Sequence, residues 1–134
     1  MLTSTILDRL SGSSNKDNNP PRINVGNALP SGYVIVTLGA GFWYRRNQSQ
    51  DPETAIKENL SIETGEQDTI HGTRRDCCRL AQLFVDVQTP NGDIVLVSKT
   101  LEPPSGQCII QESLVLEANA FASGTTLDLT FKSM

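Results

Sequence analysis

Alternation of apolar and polar residues is clearest in the second half of the chain, where it predicts strands with one buried face. Residues 78–88 (CRLAQLFVDVQ) alternate in this way, and residues 94–101 (IVLVSKTL) form the expected return strand. Between them, Asn91-Gly92 is a strong signal for a tight hairpin turn. The side chains expected on the buried face of the first strand are Ala81, Leu83, Val85 and Val87.

Three other segments have strand-like sequences. Residues 33–38 (YVIVTL) are rich in β-branched side chains, and residues 108–117 (CIIQESLVLE) are a further strand candidate. Residues 125–132 (TTLDLTFK) alternate again. The apolar members of this last alternation, all expected to be buried, are Leu127, Leu129 and Phe131. Short strands separated by turns predict a mainly β fold, either a small antiparallel β-sandwich or a barrel.

Two short helices are expected beside the strands. Residues 51–60 (DPETAIKENL) begin with Asp51 as an N-cap and Pro52 at the first helical position, which favours a helix start. Residues 2–10 place apolar side chains on one helical stripe. This stripe consists of Leu2, Ile6, Leu7 and Leu10. Because a helix of this length is unstable alone, we expect it to dock on another surface.

Residues 11–32 have a different composition, in which Ser, Asn, Gly and Pro dominate. Such a segment has too little apolar surface to offset its ordering entropy, so we expect an extended arm. The sequence therefore predicts an N-terminal arm over residues 1–32 and a single β-rich domain over residues 33–134. A few apolar residues within the arm are candidate anchors for a protein partner. These anchors are Ile23, Val25 and Leu29.

Residues 39–46 (GAGFWYRR) concentrate aromatic and cationic side chains. The glycines fit neither a phosphate-binding loop nor a dinucleotide turn, so we interpret residues 39–41 as a bulge or bend in a strand. Trp, Tyr and Arg dominate the contact energy of many protein interfaces, although core packing explains aromatic residues on a strand equally well. The candidate interface residues of this segment are Trp43, Tyr44, Arg45 and Arg46.

Few residues are candidates for catalysis or metal binding. His71, the single histidine, lies in a polar stretch without a nucleophile motif and is interpreted as a loop residue. The three cysteines lack the paired spacing of a structural zinc site, so we expect no metal and no cofactor. Their odd number disfavours a secreted disulfide framework and favours a reducing cytoplasm. In this interpretation Cys78 and Cys108 are small buried residues, and Cys77 is the more reactive thiol.

Charge and hydropathy narrow the class of partner. A net charge of −4 and a pI near 4.9 disfavour general binding to nucleic acid. Residues 1–10 lack the pattern of a secretory signal peptide, and no apolar run reaches the length of a membrane span. The expected partners are other protein subunits, either copies of this chain or a lattice-forming protein such as a major capsid protein.

These observations favour a non-enzymatic structural or assembly protein. Its specific form would be a virion component, such as a phage capsid cement or decoration protein that binds neighbouring subunits through its arm and its β domain. The alternatives are a cytoplasmic β module that binds a small ligand or a protein, and after it a small enzyme of an unfamiliar family.

Overall fold

The computed structural model describes residues 19–45, 51–120 and 127–134. Within these ranges the chain forms eight strands and no helix, which confirms the predicted mainly β class. The strands are β1 (Arg22–Asn27), β2 (Val34–Tyr44), β3 (Glu53–Lys57), β4 (Gln67–His71), β5 (Cys78–Gln88), β6 (Ile94–Leu101), β7 (Gln111–Ala120) and β8 (Leu127–Ser133).

The strands form two four-stranded sheets that pack face to face as a β-sandwich. The first sheet has the order β4-β1-β7-β8 and the second has the order β3-β2-β5-β6. The strand pairs are antiparallel except for β1 with β7, which is parallel. The sandwich alternative is therefore the one observed, although its first sheet is mixed rather than purely antiparallel.

The core contains the inner faces of both sheets. Leu38 and Phe42 from β2 meet Leu114 and Leu116 from β7 in one buried cluster. The residues predicted to be buried on β5 are all fully buried, which confirms that alternation. They are Ala81, Leu83, Val85 and Val87.

The predicted hairpin turn connects β5 with β6. The backbone N–H of Gly92 donates to the carbonyl of Thr89, and that of Thr89 donates to the carbonyl of Asp93. Gly92 has a φ of 90°, a left-handed conformation that glycine adopts without steric cost. The turn at Asn91-Gly92 is therefore confirmed, within a connection that spans residues 89–93.

The helix expected at residues 51–60 is wrong. Residues 53–57 instead form β3, which pairs antiparallel with β2 and sets Ala55 opposite Ala40. Pairing along the exposed edge of β2 outweighs the local helix-start signal of Asp51 and Pro52, because tertiary contacts routinely override intrinsic propensity. The helix expected over residues 2–10 lies outside the described residues.

The arm is also different from the expectation, because its last part is a central strand. β1 lies between β4 and β7, and Ile23 and Val25 have no exposed surface. Leu29, just after the strand, is 1% exposed. These three residues pack in the core of their own domain, so they are not anchors for a partner. The boundary at residue 32 does not separate an arm from the sandwich.

Asn27 is a polar residue that is buried at the end of β1, and its side-chain polar atoms all form hydrogen bonds. Its side-chain NH₂ group donates to the carbonyls of Tyr33 and Ile62, each at a distance of 2.9 Å. Its Oδ1 accepts from the N–H of Leu29 at 2.8 Å. The hydrogen bonds to these partners compensate the buried amide for the contacts with water that it loses on folding. One side chain thus connects the end of β1 to the segments that precede β2 and follow β3.

A disulfide joins the two sheets at one end of the sandwich. Cys77 precedes β5 of the second sheet, Cys108 precedes β7 of the first, and their Cα atoms are 4.7 Å apart. The expectation of three reduced cysteines is therefore wrong, and Cys77 is not a reactive thiol. Sequence spacing could not show this pair, because residues 31 positions apart meet only through the topology.

The position of β1 gives a first prediction. Deleting residues 1–32 should prevent cooperative folding, because β4 and β7 would lose their shared neighbour. Thermal unfolding followed by circular dichroism measures this, and the matched control lacks residues 1–18, so that every described strand remains. A cooperative transition in the shorter protein at the temperature of the control would contradict the assignment of β1.

The disulfide gives a second prediction. Replacing Cys77 and Cys108 together by Ser should lower the free energy of unfolding by about 3–4 kcal/mol, since a cross-link that closes a loop of this length restricts the unfolded chain. Urea titration of the oxidised parent and the double variant measures the difference. Cys78→Ser is the control for loss of a thiol, and equal stability of the parent with and without reductant would refute the bond.

Candidate protein-interaction edge

The structure separates the candidate interface residues of the aromatic segment. Trp43 is half-buried on the outer face of the second sheet, Tyr44 is fully buried, and Arg45 is exposed. The remaining candidates lie outside the described residues. They are Leu2, Ile6, Leu7, Leu10 and Arg46.

Tyr44 is a core residue with a polar end. Its hydroxyl donates to Oε1 of Glu53 over 2.5 Å, and the guanidinium of Arg74 lies 4.9 Å from the centre of its ring. A fully buried ring cannot present its surface to a partner. The expectation that Tyr44 is an interface residue is therefore corrected, and core packing is the explanation that holds.

Glu53 accepts hydrogen bonds from both sides of this cluster. The N–H of Thr73 donates to Oε2 over 3.1 Å, and the Thr73 hydroxyl donates to the same oxygen over 2.5 Å. Burial by itself raises the pKa of Glu53, but the hydrogen bonds from Thr73 and Tyr44 and the charge of Arg74 outweigh it and hold the pKa below its ordinary value. Glu53 is consequently ionised at neutral pH.

The protonation states of Tyr44 and Glu53 determine whether these two side chains can exchange a proton. Burial, together with the hydrogen bond to Glu53, raises the pKa of Tyr44 far above its ordinary value. An ionised carboxylate and a protonated phenol with these shifts do not exchange a proton near neutral pH. The pair instead fastens the segment after β4 to β2 and β3.

Gly72 is required by the same cluster. A Cβ atom at this position would collide with the Tyr44 hydroxyl and come within 2.8 Å of Oε1 of Glu53. The Gly72 N–H also donates to the carbonyl of Pro21, which ties the cluster to the start of β1. The close approach of three segments leaves room for glycine only.

His71 and Cys78 lie near this end of the sandwich. His71 is the exposed last residue of β4 rather than a loop residue, and its Nδ1 lies 3.0 Å from the carbonyl of Gly72. Cys78 is buried as expected, and burial raises the pKa of its thiol to about 11. The described residues contain no cluster of three or more side chains that could hold a metal ion.

Gly39 and Gly41 lie in regular strand pairing, so the predicted bulge at this position is wrong. The register shifts of β2 lie instead between Ile35 and Thr37 and between Trp43 and Tyr44. A Cβ atom on Gly39 would collide with the ring of Phe84 from β5. The glycine is needed because that ring lies across the outer face of the sheet.

Most of the large exposed apolar side chains lie on two neighbouring edge strands. On β6, Ile94, Val95 and Leu96 are 56%, 38% and 64% exposed, and Leu127 at the start of β8 is 37% exposed. β6 ends the second sheet and β8 ends the first, and the two strands contact each other. We call this side of the sandwich the β6–β8 edge, defined by residues 93–101 and 127–133.

A shallow groove runs along the β6–β8 edge between the two sheets. One part has a volume of about 330 Å³ and is lined by Val95, Leu127 and Leu129 together with Tyr33 and polar residues of the β5–β6 turn. A second, smaller part of about 230 Å³ lies between Val97 and Phe131. The prediction that the apolar residues of β8 are buried is thus only partly right, because Leu127 is exposed and Leu129 and Phe131 are half-buried.

The opposite side of the sandwich is closed by polar contacts. Lys57 of β3 forms a 3.0 Å ion pair with Asp68 of β4, and this pair joins the edges of the two sheets. Burial by itself raises the pKa of Asp68, but the hydrogen bonds from Lys57 and the Thr69 N–H and the charge of Lys57 together hold that pKa below its ordinary value. Charged residues at a sheet edge disfavour pairing with another chain. On this side an ion pair joins the two sheets, whereas the β6–β8 edge exposes large apolar side chains.

One feature of the sequence distinguishes the β6–β8 edge from the alternating strand β5. Residues 94–97 (IVLV) are apolar without interruption, whereas β5 alternates. A strand with apolar residues on both faces is expected in a buried position. In an edge strand beside a polar turn, the same run leaves Ile94 and Leu96 in solvent.

Comparison with known proteins adds no further assignment to this geometry. No family model, no curated protein and no solved structure matches the chain. In the described residues, no helix has the length and apolar character needed to cross a membrane. The candidate site therefore depends on the geometry of the β6–β8 edge.

The Glu53 cluster gives a third prediction. Glu53→Gln should lower the free energy of unfolding at pH 7 by about 1–3 kcal/mol, because it weakens hydrogen bonds that a carboxylate strengthens. The folded-state pKa lies below the ordinary 4.5, so the contribution of the charge is complete above pH 4.5 and is lost as the pH falls through the folded value. Chemical denaturation between pH 7 and pH 3 measures both.

The matched control for this prediction is Glu58→Gln, which removes an exposed carboxylate just after β3. The control should be nearly as stable as the parent. A stability difference between parent and Glu53→Gln that widens toward acid pH would contradict the assignment.

Proposed function

We propose that this protein is a non-enzymatic assembly subunit that binds other protein chains through the β6–β8 edge. The observation that carries the proposal is the exposure of Ile94, Val95, Leu96 and Leu127 on two adjacent edge strands. Edge strands have unpaired backbone groups, and natural proteins usually protect them with charges, bulges or a covering segment. An apolar edge strand is a surface suited to another chain.

Two kinds of contact are available at the β6–β8 edge. Backbone groups of an added strand can pair with β6, while apolar side chains of the partner fill the groove beside Leu129 and Phe131. Each large apolar side chain that becomes fully buried contributes about 1.5–3 kcal/mol. Backbone pairing gives orientation, and the groove gives selectivity for the partner.

The specific form of the proposal is a virion component, such as a capsid decoration protein that binds a major capsid protein. Two features support it. A compact sandwich with an edge that accepts another chain is suited to joining subunits of a lattice, in which many weak contacts act together. Disulfides such as Cys77–Cys108 persist in extracellular proteins and at virion surfaces.

Site-specific photo-crosslinking tests the proposal. Benzoylphenylalanine is placed at position 96 of the full chain in cells that make the protein, and adducts are identified by mass spectrometry. The matched control has the same group at position 56, because Ile56 is 50% exposed on β3 at the other edge of the same sheet.

We expect adducts at position 96 that map to one defined peptide of a protein, whether a copy of this chain or another subunit, and few at position 56. Equal, scattered adducts at both positions would overturn the proposal.

A further inference from the structure

We propose that the partner at the β6–β8 edge is a second copy of this chain, paired antiparallel through β6 about a two-fold axis at Leu96. This inference rests on the proposed function, because it names the partner of the same edge. The dimer would join the two second sheets into one sheet of eight strands. The pattern of backbone groups, the apolar side chains and the charges of β6 all support this pairing.

The backbone of β6 limits the registers that are available. The carbonyl of Asp93 accepts from the N–H of Thr89, so the backbone groups of Asp93 face β5. Direction alternates along a strand, so those of Ile94, Leu96 and Ser98 face away from β5. When two copies of β6 pair antiparallel, residues whose backbone groups face away from β5 must lie opposite residues of the same kind in the other copy. Even-numbered residues therefore lie opposite even-numbered residues, and odd opposite odd. This condition holds only if the two-fold axis passes through a residue and not between two residues.

Charge selects one register from those that remain. With the axis at Leu96, Asp93 of each copy lies opposite Lys99 of the other, so the dimer contains two opposite-charge pairs on the same face. Both residues are exposed and border the groove. Moving the axis to residue 95 or 97 removes these pairs, and moving it to Lys99 sets two lysines opposite each other. Opposite-charge pairs across antiparallel strands are favourable, and like charges are unfavourable.

The same register brings apolar side chains together. Leu96, which is 64% exposed, meets its own copy on the outer face, and Val95 lies opposite Val97 of the second copy on the inner face. Ile94 lies opposite Ser98. The most exposed part of β6 is thus covered at the centre of the contact, and the charged pairs lie at its two ends.

β8 is the competing edge and is less suitable. It also contains an aspartate and a lysine, Asp128 and Lys132, at symmetric positions around Thr130. The β8 side chains on the outer face of the sheet are these three polar residues. Pairing through β8 would therefore cover less apolar surface than pairing through β6. β8 therefore provides an internal control for charge effects that do not come from β6.

Charge reversal tests the register directly. Asp93→Lys or Lys99→Asp alone sets like charges opposite each other twice in a homodimer, and each should weaken self-association roughly tenfold. When the two variants are mixed, the two lysines of one chain face the two aspartates of the other. We expect a heterodimer with affinity at least equal to that of the parent, measured by sedimentation velocity of the full chains with one variant labelled.

Three controls accompany the mixture. Asp128→Lys mixed with Lys132→Asp makes the same charge change on β8 and should give no preference for the heterodimer. Leu96→Asp should give a folded monomer, whereas Ile56→Asp should still form the dimer. Amide hydrogen exchange of the parent should show protection at Leu96 and Ser98 that is lost in Leu96→Asp.

The proposal is overturned if the parent is monomeric up to high micromolar concentration. It is also overturned if Leu96→Asp leaves the dimer intact, or if the β8 variants form the heterodimer and the β6 variants do not. If crosslinks from position 96 map to another protein and none to this chain, the self-pairing fails while the assembly function stands. If position 96 gives no defined adduct, the assembly function fails as well.

Discussion

The pairing of β1 with both β4 and β7 is the interaction on which the rest of the sandwich depends. β1 supplies Ile23 and Val25 to the core, and without it β4 has no neighbour in the first sheet. Its parallel partner β7 begins at Gln111, far along the chain from Arg22. Such a contact cannot form locally, because the loop between the strands must close before any pairing energy is gained. The first sheet is therefore a product of the complete fold.

One end of the sandwich is held by several polar and covalent contacts acting on the same stretch. Glu53 binds Tyr44 and Thr73, the Gly72 N–H binds the carbonyl of Pro21, and Cys77 is bonded to Cys108. Together they fix the connection between β4 and β5, which passes from the first sheet to the second. A connection with few apolar residues is ordered here because its polar groups have defined partners.

The two sides of the sandwich differ in the residues that border their edge strands. Between β3 and β4, the ion pair of Lys57 with Asp68 places charge at the junction of the sheets. Between β6 and β8, a groove lined by apolar side chains and by polar residues of the β5–β6 turn runs beside exposed leucine and isoleucine. Sheet edges are where chains add to one another, so the exposed apolar side chains make the β6–β8 edge the side suited to the proposed association.

The sequence by itself determined the β class, the alternation of β5 and the turn at Asn91-Gly92, because these depend on periodicity and local backbone preference. Ile23, Val25, Tyr44 and the Cys77–Cys108 bond were assigned wrongly, since their environments come from segments distant in the chain. The β3 strand was missed for a related reason, as pairing with β2 outweighed a local helix signal. The exposure of Ile94 and Leu96 was likewise decided by tertiary structure. The hydrophobicity of a strand favours its burial, but only the order of strands in the sheet determines which strand lies at an edge.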